Sequence, residues 1–266
     1  MHVSVPVFVI NLPRDSARRE SMRTRFDPLG VDLTFIEAVD GAAMTPEQWS
    51  FYDGEKRRKY FGRDLKPGEI GCLLSHRKIF EKIVTENITV AVILEDDVIP
   101  EPDFKDAIIA AANTPPVPWD VIRFLGSKKV YKRGRRVIAP LIGRYVMARI
   151  PTAPGGAHGY MVTKHAAEIF LKHTQKNWVP IDTLQGRTWE TGLETLVLYP
   201  APVLIDEVAP STIGDARMEK TVNFKGMRRA QYMVDRLMYR LEDTIGKRIT
   251  YWGAYLRDTA ARRRSN

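Results

Sequence analysis

The chain has 266 residues, 44% of them hydrophobic and 27% charged; that size and balance supply an ordinary packed core and exclude wholesale disorder or a fibrous repeat. A single cysteine, Cys72, excludes an intrachain disulfide and any Cys/His zinc spacing, and weakly favours a reducing compartment. Of the net charge of +9, residues 220–266 carry +8, with 12 Lys and Arg against 4 Asp and Glu, so the body is almost balanced and the basic tail suits an anionic surface such as phospholipid or nucleic acid.

The opening MHVSVPVFVINLPRD has neither a basic leader nor a long apolar segment, so no signal peptide is read and a cytoplasmic location is expected. Residues 5–10 form an apolar run ending in Asn-Leu-Pro, the pattern of a buried strand entering a turn. Residues 15–26 suit an exposed helix and 33–38 a second strand. Thr45-Pro46-Glu47-Gln48 combines an N-cap, a proline at the first helical position and a capping-box glutamine, and predicts a helix start. Over 67–86, Ile70, Leu73, Leu74, Phe80, Ile83 and Val84 recur at helical spacing; Asn87 can close that helix before a strand at 89–94. The apolar stretch 88–94 is far shorter than the roughly 20 residues of a membrane-crossing helix. Pro100 and Pro102 break the chain before a predicted helix at 103–112 and a strand at 120–125, while 137–150 and 160–163 read as hairpin or mixed strands. This alternation predicts an α/β sandwich with a mixed, largely parallel sheet. Residues 151–159 are too few for a linker, so 1–215 is expected as one domain and 216–266 as a basic, amphipathic helical extension.

Residues 92–98, Val-Ile-Leu-Glu-Asp-Asp-Val, end an apolar strand in three successive carboxylates. Ligands of open α/β sheets bind beyond the carboxyl ends of strands. Adjacent carboxylates repel unless cations or hydrogen bonds compensate, and a hard ion such as Mn2+ or Mg2+ would do so while bridging a diphosphate. Strand alternation aims Glu95 and Asp97 to one side and Asp96 to the other; a solvated acidic turn is the plainer alternative. His76, beside Ser75, can donate to a diphosphate or orient a carboxylate, or can be a satisfied helical histidine. Cys72 reads as a small hydrophobe, and the Asn87-Ile88-Thr89 sequon as chance. Gly155, Gly156 and Gly159 around His158 allow close approach of backbone to a ligand, or simply a turn.

Three blocks, VFVINLPRDSARRESM at 7–22, GEIGCLLSHRKIFEKIV at 68–84 and VILEDDV at 92–98, followed by looser matches GGAHGYMV at 155–162 and PIDTL at 180–184, cover about residues 5–206. Together the sequence resembles glycosyltransferase family 25, the lipopolysaccharide and lipooligosaccharide galactosyltransferases that also include collagen galactosyltransferases. The resemblance implies a GT-A-like nucleotide-binding sandwich in which an Asp-x-Asp-like motif holds metal and donor. Here Glu95-Asp96-Asp97 takes that place, with Glu in the first position. Asp97 is then the expected direct metal ligand, Glu95 a second or water-mediated one, and Asp96 a ribose or sugar contact. Asn11, Arg14 and Arg18 would receive base, ribose or phosphate, and Ser75 and His76 would serve the nucleotide.

The expected reaction is metal-dependent, inverting transfer of galactose from UDP-galactose, or another UDP-hexose, to a lipid-linked lipopolysaccharide or lipooligosaccharide acceptor. Asp182 is the expected base, opposite the departing UDP; it can equally cap the helix from Thr183, and Glu190 and Glu194 are the other carboxylates able to approach an acceptor. A metal-using nucleotidyltransferase and a non-enzymatic basic membrane-surface adaptor are the alternatives; no nucleic-acid module is read in the body. In the tail, Met227, Ala230, Val234, Leu237, Leu241 and Ile245 form an apolar stripe with Arg228, Arg229, Arg236 and Arg240 mainly outside it, followed by Ile249, Trp252, Tyr255, Leu256 and Arg262-Arg263-Arg264. It either packs on the body or binds anionic lipid at the inner face of the cytoplasmic membrane.

Overall fold

The computed structural model of the protein describes residues 5–124, 135–151, 155–206 and 226–265. Apolar strands β1 (Val7–Asn11) and β3 (Val90–Glu95) are buried on both faces, so alternate side chains feed two cores. Val7, Val9, Val92 and Leu94 pack on one side with Met22 and Phe26 of α1 (Ser16–Phe26) and Phe104 of α4 (Phe104–Asn113). Phe8, Ile10, Ala91 and Ile93 pack on the other with Leu73, Phe80 and Ile83 of α3 (Pro67–Thr85) and Phe170 of α5 (Lys164–His173). The result is the α/β sandwich expected from the alternation.

With β2 (Leu33–Glu37), β5 (Val121–Phe124), the hairpin β6 (Arg136–Ile142) and β7 (Tyr145–Arg149), β8 (Gly159–Thr163) and β9 (Thr195–Tyr199), the sheet runs in the order β2-β1-β3-β8-β5-β9-β7-β6. Only β8 and β7 run against the other six strands, which makes the sheet mixed and largely parallel. β4 (Val98–Pro100) pairs with β10 (Val203–Ile205) in a separate ribbon.

One helix start differs from expectation. The capping box at Thr45 forms, Gln48 accepting from the Thr45 N–H at 2.8 Å, but it opens only a 3-10 turn, Pro46–Trp49. The chain then leaves to bridge Tyr52 to Asn177. α2 (Gly54–Phe61) starts afresh at Asp53, whose carboxylate caps the Lys56 N–H. Asn87 adopts φ 55° just after α3, a left-handed stop that asparagine tolerates.

Two short helices, α6 (Ile181–Gly186) and α7 (Thr188–Thr191), precede β9. The tail forms one long helix, α8 (Gly226–Ser265), lying on α2 and α7. Its packed face holds Tyr239, Gly246 against the Trp189 ring, and Ala254. The apolar stripe Val234, Leu237, Leu241 and Ile245 stays exposed on the opposite face.

Candidate active site

Parallel strands β1, β2 and β3 end side by side at Asn11, Glu37 and Glu95, and the site lies beyond them. Helix α3 forms its wall with two rows of side chains, each one turn long. Gly71 and Ser75 hold the segment 38–42 directly on the helix. A Cβ at Gly41 would stand 1.7 Å from the Pro67 carbonyl oxygen, and one at Gly71 2.4 Å from that of Val39. The Ser75 hydroxyl accepts from the Val39 N–H at 2.8 Å and donates to the Gly71 carbonyl at 2.7 Å. Ser75, expected to serve the nucleotide, is thereby committed to fixing the loop that borders it.

The neighbouring row, Cys72 and His76, faces Glu95. Cys72 Sγ and His76 Nε2 each lie 3.9 Å from Glu95 Oε1. His76 is wholly buried, its Nδ1 2.8 Å from the Tyr160 hydroxyl and its ring stacked on that of Tyr160. His76 therefore reaches Glu95 from behind and does not line the cleft in front of it.

The acidic run splits as a strand end should. Asp96 turns toward α1, where Arg18 pairs with one carboxylate oxygen and the Asn11 amide donates to the other at 2.8 Å. Burial pushes the Asp96 carboxyl above its ordinary value in spite of those two partners. Asn11, expected to read a base edge, is buried and donates also to the Asp15 carbonyl at 3.2 Å. Its place is beneath the cleft, positioning Asp96, and the base-reading role has no support in this geometry.

Glu95 and Asp97 turn the other way and converge on His158. Its Nδ1 lies 3.4 Å from Glu95 Oε2 and 3.5 Å from Asp97 Oδ1. Burial opposes the imidazolium, but Asp97 and Glu95 outweigh it and raise His158 to about 10. Burial likewise opposes the Glu95 carboxylate, and His158 and His76 hold its pKa well below the usual range. Ligand atoms of Glu95, Asp97 and His158 all lie within 4.8 Å of one another. Asp97 Oδ1 and His158 Nδ1 are buried without a hydrogen-bond partner. Two carboxylate oxygens and an imidazole nitrogen so spaced, with those of Asp97 and His158 unsatisfied, fit a divalent ion of the Mn2+ type.

Two cavities meet at this cluster, sharing Cys72, Glu95 and His158. The larger, about 490 Å³, is bordered by Arg14, Arg18, Lys66 and the 38–42 segment, and Arg14 pairs with Asp40 across its rim. The smaller, about 310 Å³, is bordered by Arg57, Phe61, Arg63 and Asp182. Asp182 Oδ2 accepts from the Gly156 N–H at 2.8 Å, and Oδ1 from the Thr183 N–H at 2.6 Å. Gly156 has φ +91°, and a Cβ there would stand 2.6 Å from His158 Nε2, so this turn carries both His158 and Asp182. Behind it, buried Arg123 donates to the Gly156 carbonyl at 2.5 Å; burial pulls its guanidinium down to about 10, with Asp182 acting the other way.

The other two candidate carboxylates are elsewhere. Glu190 makes two 2.6 Å bonds to Arg187, and Glu194 pairs with Arg149 at 2.5 Å and Arg257 at 2.8 Å. Neither borders the two cavities at the acidic cluster.

Residues 4–185 match the family described as glycosyltransferase family 25, LPS biosynthesis protein. The chain belongs to glycosyltransferase family 25. Among curated relatives, a glycosyltransferase 25 family member of Aedes aegypti is 37% identical over 66% of this chain and 29% of its own length. A procollagen galactosyltransferase 1-A of Xenopus laevis is 34% identical over 47% of this chain and 21% of its own. A probable inactive glycosyltransferase 25 family member 3 of Bos taurus is 34% identical over 51% of this chain and 24% of its own. The chain thus spans under a third of the length of these relatives.

All the residues at the acidic cluster fall inside the family region. His158 and Arg123 are what sequence reasoning left unassigned. His158 had a signal, the glycines around it; Arg123 sat unremarked in an apolar strand, where a buried guanidinium is itself the anomaly.

Proposed function

We propose that the protein transfers a hexose, galactose in the first instance, from a UDP-sugar to a hydroxyl of a lipid-linked oligosaccharide, with a divalent ion held by Asp97, Glu95 and His158. The observation that carries this reading is the Asp97–His158–Glu95 cluster, its Asp97 and His158 atoms unsatisfied, at the junction of two cavities, one walled by arginines and the other holding a carboxylate. Galactose is supported by the name of the procollagen galactosyltransferase relative. The lipid-linked acceptor is supported by the family's description.

The larger cavity suits the nucleotide. Arg14 and Arg18 offer guanidinium groups to phosphate or base, and Asn11 with Arg18 fixes Asp96 toward ribose or sugar. Asp97, Glu95 and His158 would hold the ion, which would supply positive charge to balance the diphosphate of the leaving group. On the other side of the cluster, Asp182 takes the proton of the acceptor hydroxyl while the hydroxyl oxygen bonds to the sugar's anomeric carbon and the bond from that carbon to UDP breaks. Backbone N–H groups of Gly156 and Thr183 hold the Asp182 carboxylate in place for that proton. His76 and Cys72 keep Glu95 turned toward the junction from behind.

The test is a donor panel of UDP-hexoses with an oligosaccharide acceptor, measuring UDP release and analysing the product, in Mn2+ and in chelator. Metal-dependent release of UDP with a glycosylated product is expected. Release of pyrophosphate with transfer of the nucleotide would replace this reading by a nucleotidyltransferase, and absence of turnover with every donor would align the chain with its inactive relative.

A further inference from the structure

Helix α8 presents two faces of opposite character. Its acids turn inward: Asp235 lies 3.8 Å from Lys59, Asp243 3.8 Å from Arg187, and Asp258 2.9 Å from Arg149. Arg236 donates to the Tyr60 carbonyl at 3.2 Å. The outward face carries Leu237, Leu241, Ile245, Ile249, Trp252 and Leu256, at steps of three or four residues and 47–68% exposed. Among the described side chains of α8, the exposed charged ones are Arg228, Arg229, Arg240 and Arg248, with Arg257 held by Glu194 of the body, against Glu242 alone. Docking on the body thus consumes the helix's negative charge and leaves an apolar stripe flanked by arginines.

We infer that this outward face lies in the headgroup layer of an anionic bilayer. A stripe of this length, exposed to water along about 30 Å of helix, calls for an apolar partner. A second copy of the same face would set arginine against arginine, whereas anionic headgroups match the arginines and acyl chains match the stripe. Trp252 stands edge-to-face with Tyr251 and Tyr255, at 5.7 and 5.5 Å, a cluster suited to the interface between water and lipid. Among the described residues no helix is long and apolar enough to cross a membrane, so α8 lies on the surface and not through it. Helix α2 links this surface to the site: Lys59 and Tyr60 hold α8, while Arg57 and Phe61 border the smaller cavity. That cavity therefore stands at a fixed height above the lipid. The inference is independent of the sugar-transfer reading.

Sedimentation of the full chain with phosphatidylcholine vesicles, with and without phosphatidylglycerol, tests it. Binding is expected only with phosphatidylglycerol and should weaken as salt rises. Leu241→Glu/Ile249→Glu should weaken it by at least about tenfold, with far-UV circular dichroism and the melting temperature unchanged. A blue shift of tryptophan emission on vesicle addition should disappear in Trp252→Phe. Should the glutamate pair melt low, Arg240→Gln/Arg248→Gln decides, again with about tenfold weaker binding expected. Parent-like binding by a folded variant overturns the inference, as does self-association without vesicle binding that the same substitutions abolish, which would make the partner a second copy.

Discussion

Carboxylates gather at two places in this protein, and they are treated differently. Along the seam between α8 and the body the acids meet cations: Asp258 faces Arg149 and Arg136 at 2.9 and 2.8 Å, and Glu194 faces Arg149 and Arg257. At the end of β3, Glu95 and Asp97 share His158, Glu95 has His76 behind it, and Asp97 Oδ1 and His158 Nδ1 have no hydrogen-bond partner. Matched charge at the seam fastens one element to another. At the strand end two carboxylates share the His158 imidazolium, and the negative charge left over costs stability that a bound cation would offset.

The largest break in this comparison comes from Asp97→Ala. Without Asp97, His158 keeps Glu95 as its partner, so the fold should persist with at most a small drop in melting temperature, while turnover should fall roughly 1000-fold, about 4 kcal/mol of transition-state stabilisation. Asp97→Asn should behave alike. Parent-like, metal-dependent turnover in either folded variant would remove Asp97 from the site.

Arg149→Ala should do the reverse. With the side chain 7% exposed, its loss leaves Asp258 with Arg136 and Glu194 with Arg257 as their remaining partners and should lower stability by up to about 3 kcal/mol in a denaturant titration. UDP affinity of the folded fraction should not move. A change in affinity with no change in stability would mean that the seam is not merely structural.

UDP binding should be about 100-fold tighter in Mn2+ than in chelator, because the diphosphate otherwise meets Glu95 and Asp97 bare. Calorimetry under the two conditions checks this, and equal affinity would point to transfer without a metal.

The smallest expected effect is on acid stability. Burial opposes the Asp258 carboxylate, but Arg149 and Arg136 outweigh it and depress its pKa. A depressed folded-state value gives stability that is present above the unfolded value, about 3.9, and is lost as pH falls through the folded one. Thermal melts between pH 6 and pH 3 should therefore drop more steeply for the parent than for Asp258→Asn. Parallel curves would show that the seam draws nothing from this ionisation.

How far the sequence discloses these two places depends on whether their parts are local. β1, β3 and α3 are legible because each carries its own periodicity, and the two-sided burial of β3 already places Glu95 and Asp97 apart from Asp96. His158 joins them only because β8 pairs antiparallel with β3, setting the Glu95 N–H on the His158 carbonyl at 2.9 Å, and no feature within either segment specifies that pairing. Asn11 illustrates the converse: an amide at a strand end has many targets, and the nearest acid claimed it. The capping box at Thr45 was satisfied by four residues and carried no information about how far the helix would run. The stripe of α8 is plain in the sequence, but which face docks is decided by cations contributed from β6, β7 and Arg187 between α6 and α7, far apart along the chain.

The contact between Gly41 and Gly71 has a consequence for mutational scanning. With a carbonyl oxygen 1.7 Å from where a Cβ would begin, even alanine at Gly41 must lift the 38–42 segment off α3. In a library of single substitutions selected for activity, these glycines would vanish as completely as Asp97, though they touch no reacting atom. Counting surviving folded protein beside surviving activity would separate the two kinds of intolerance: substitutions at Gly41 and Gly71 would be missing from both counts, and those at Asp97 from the second alone.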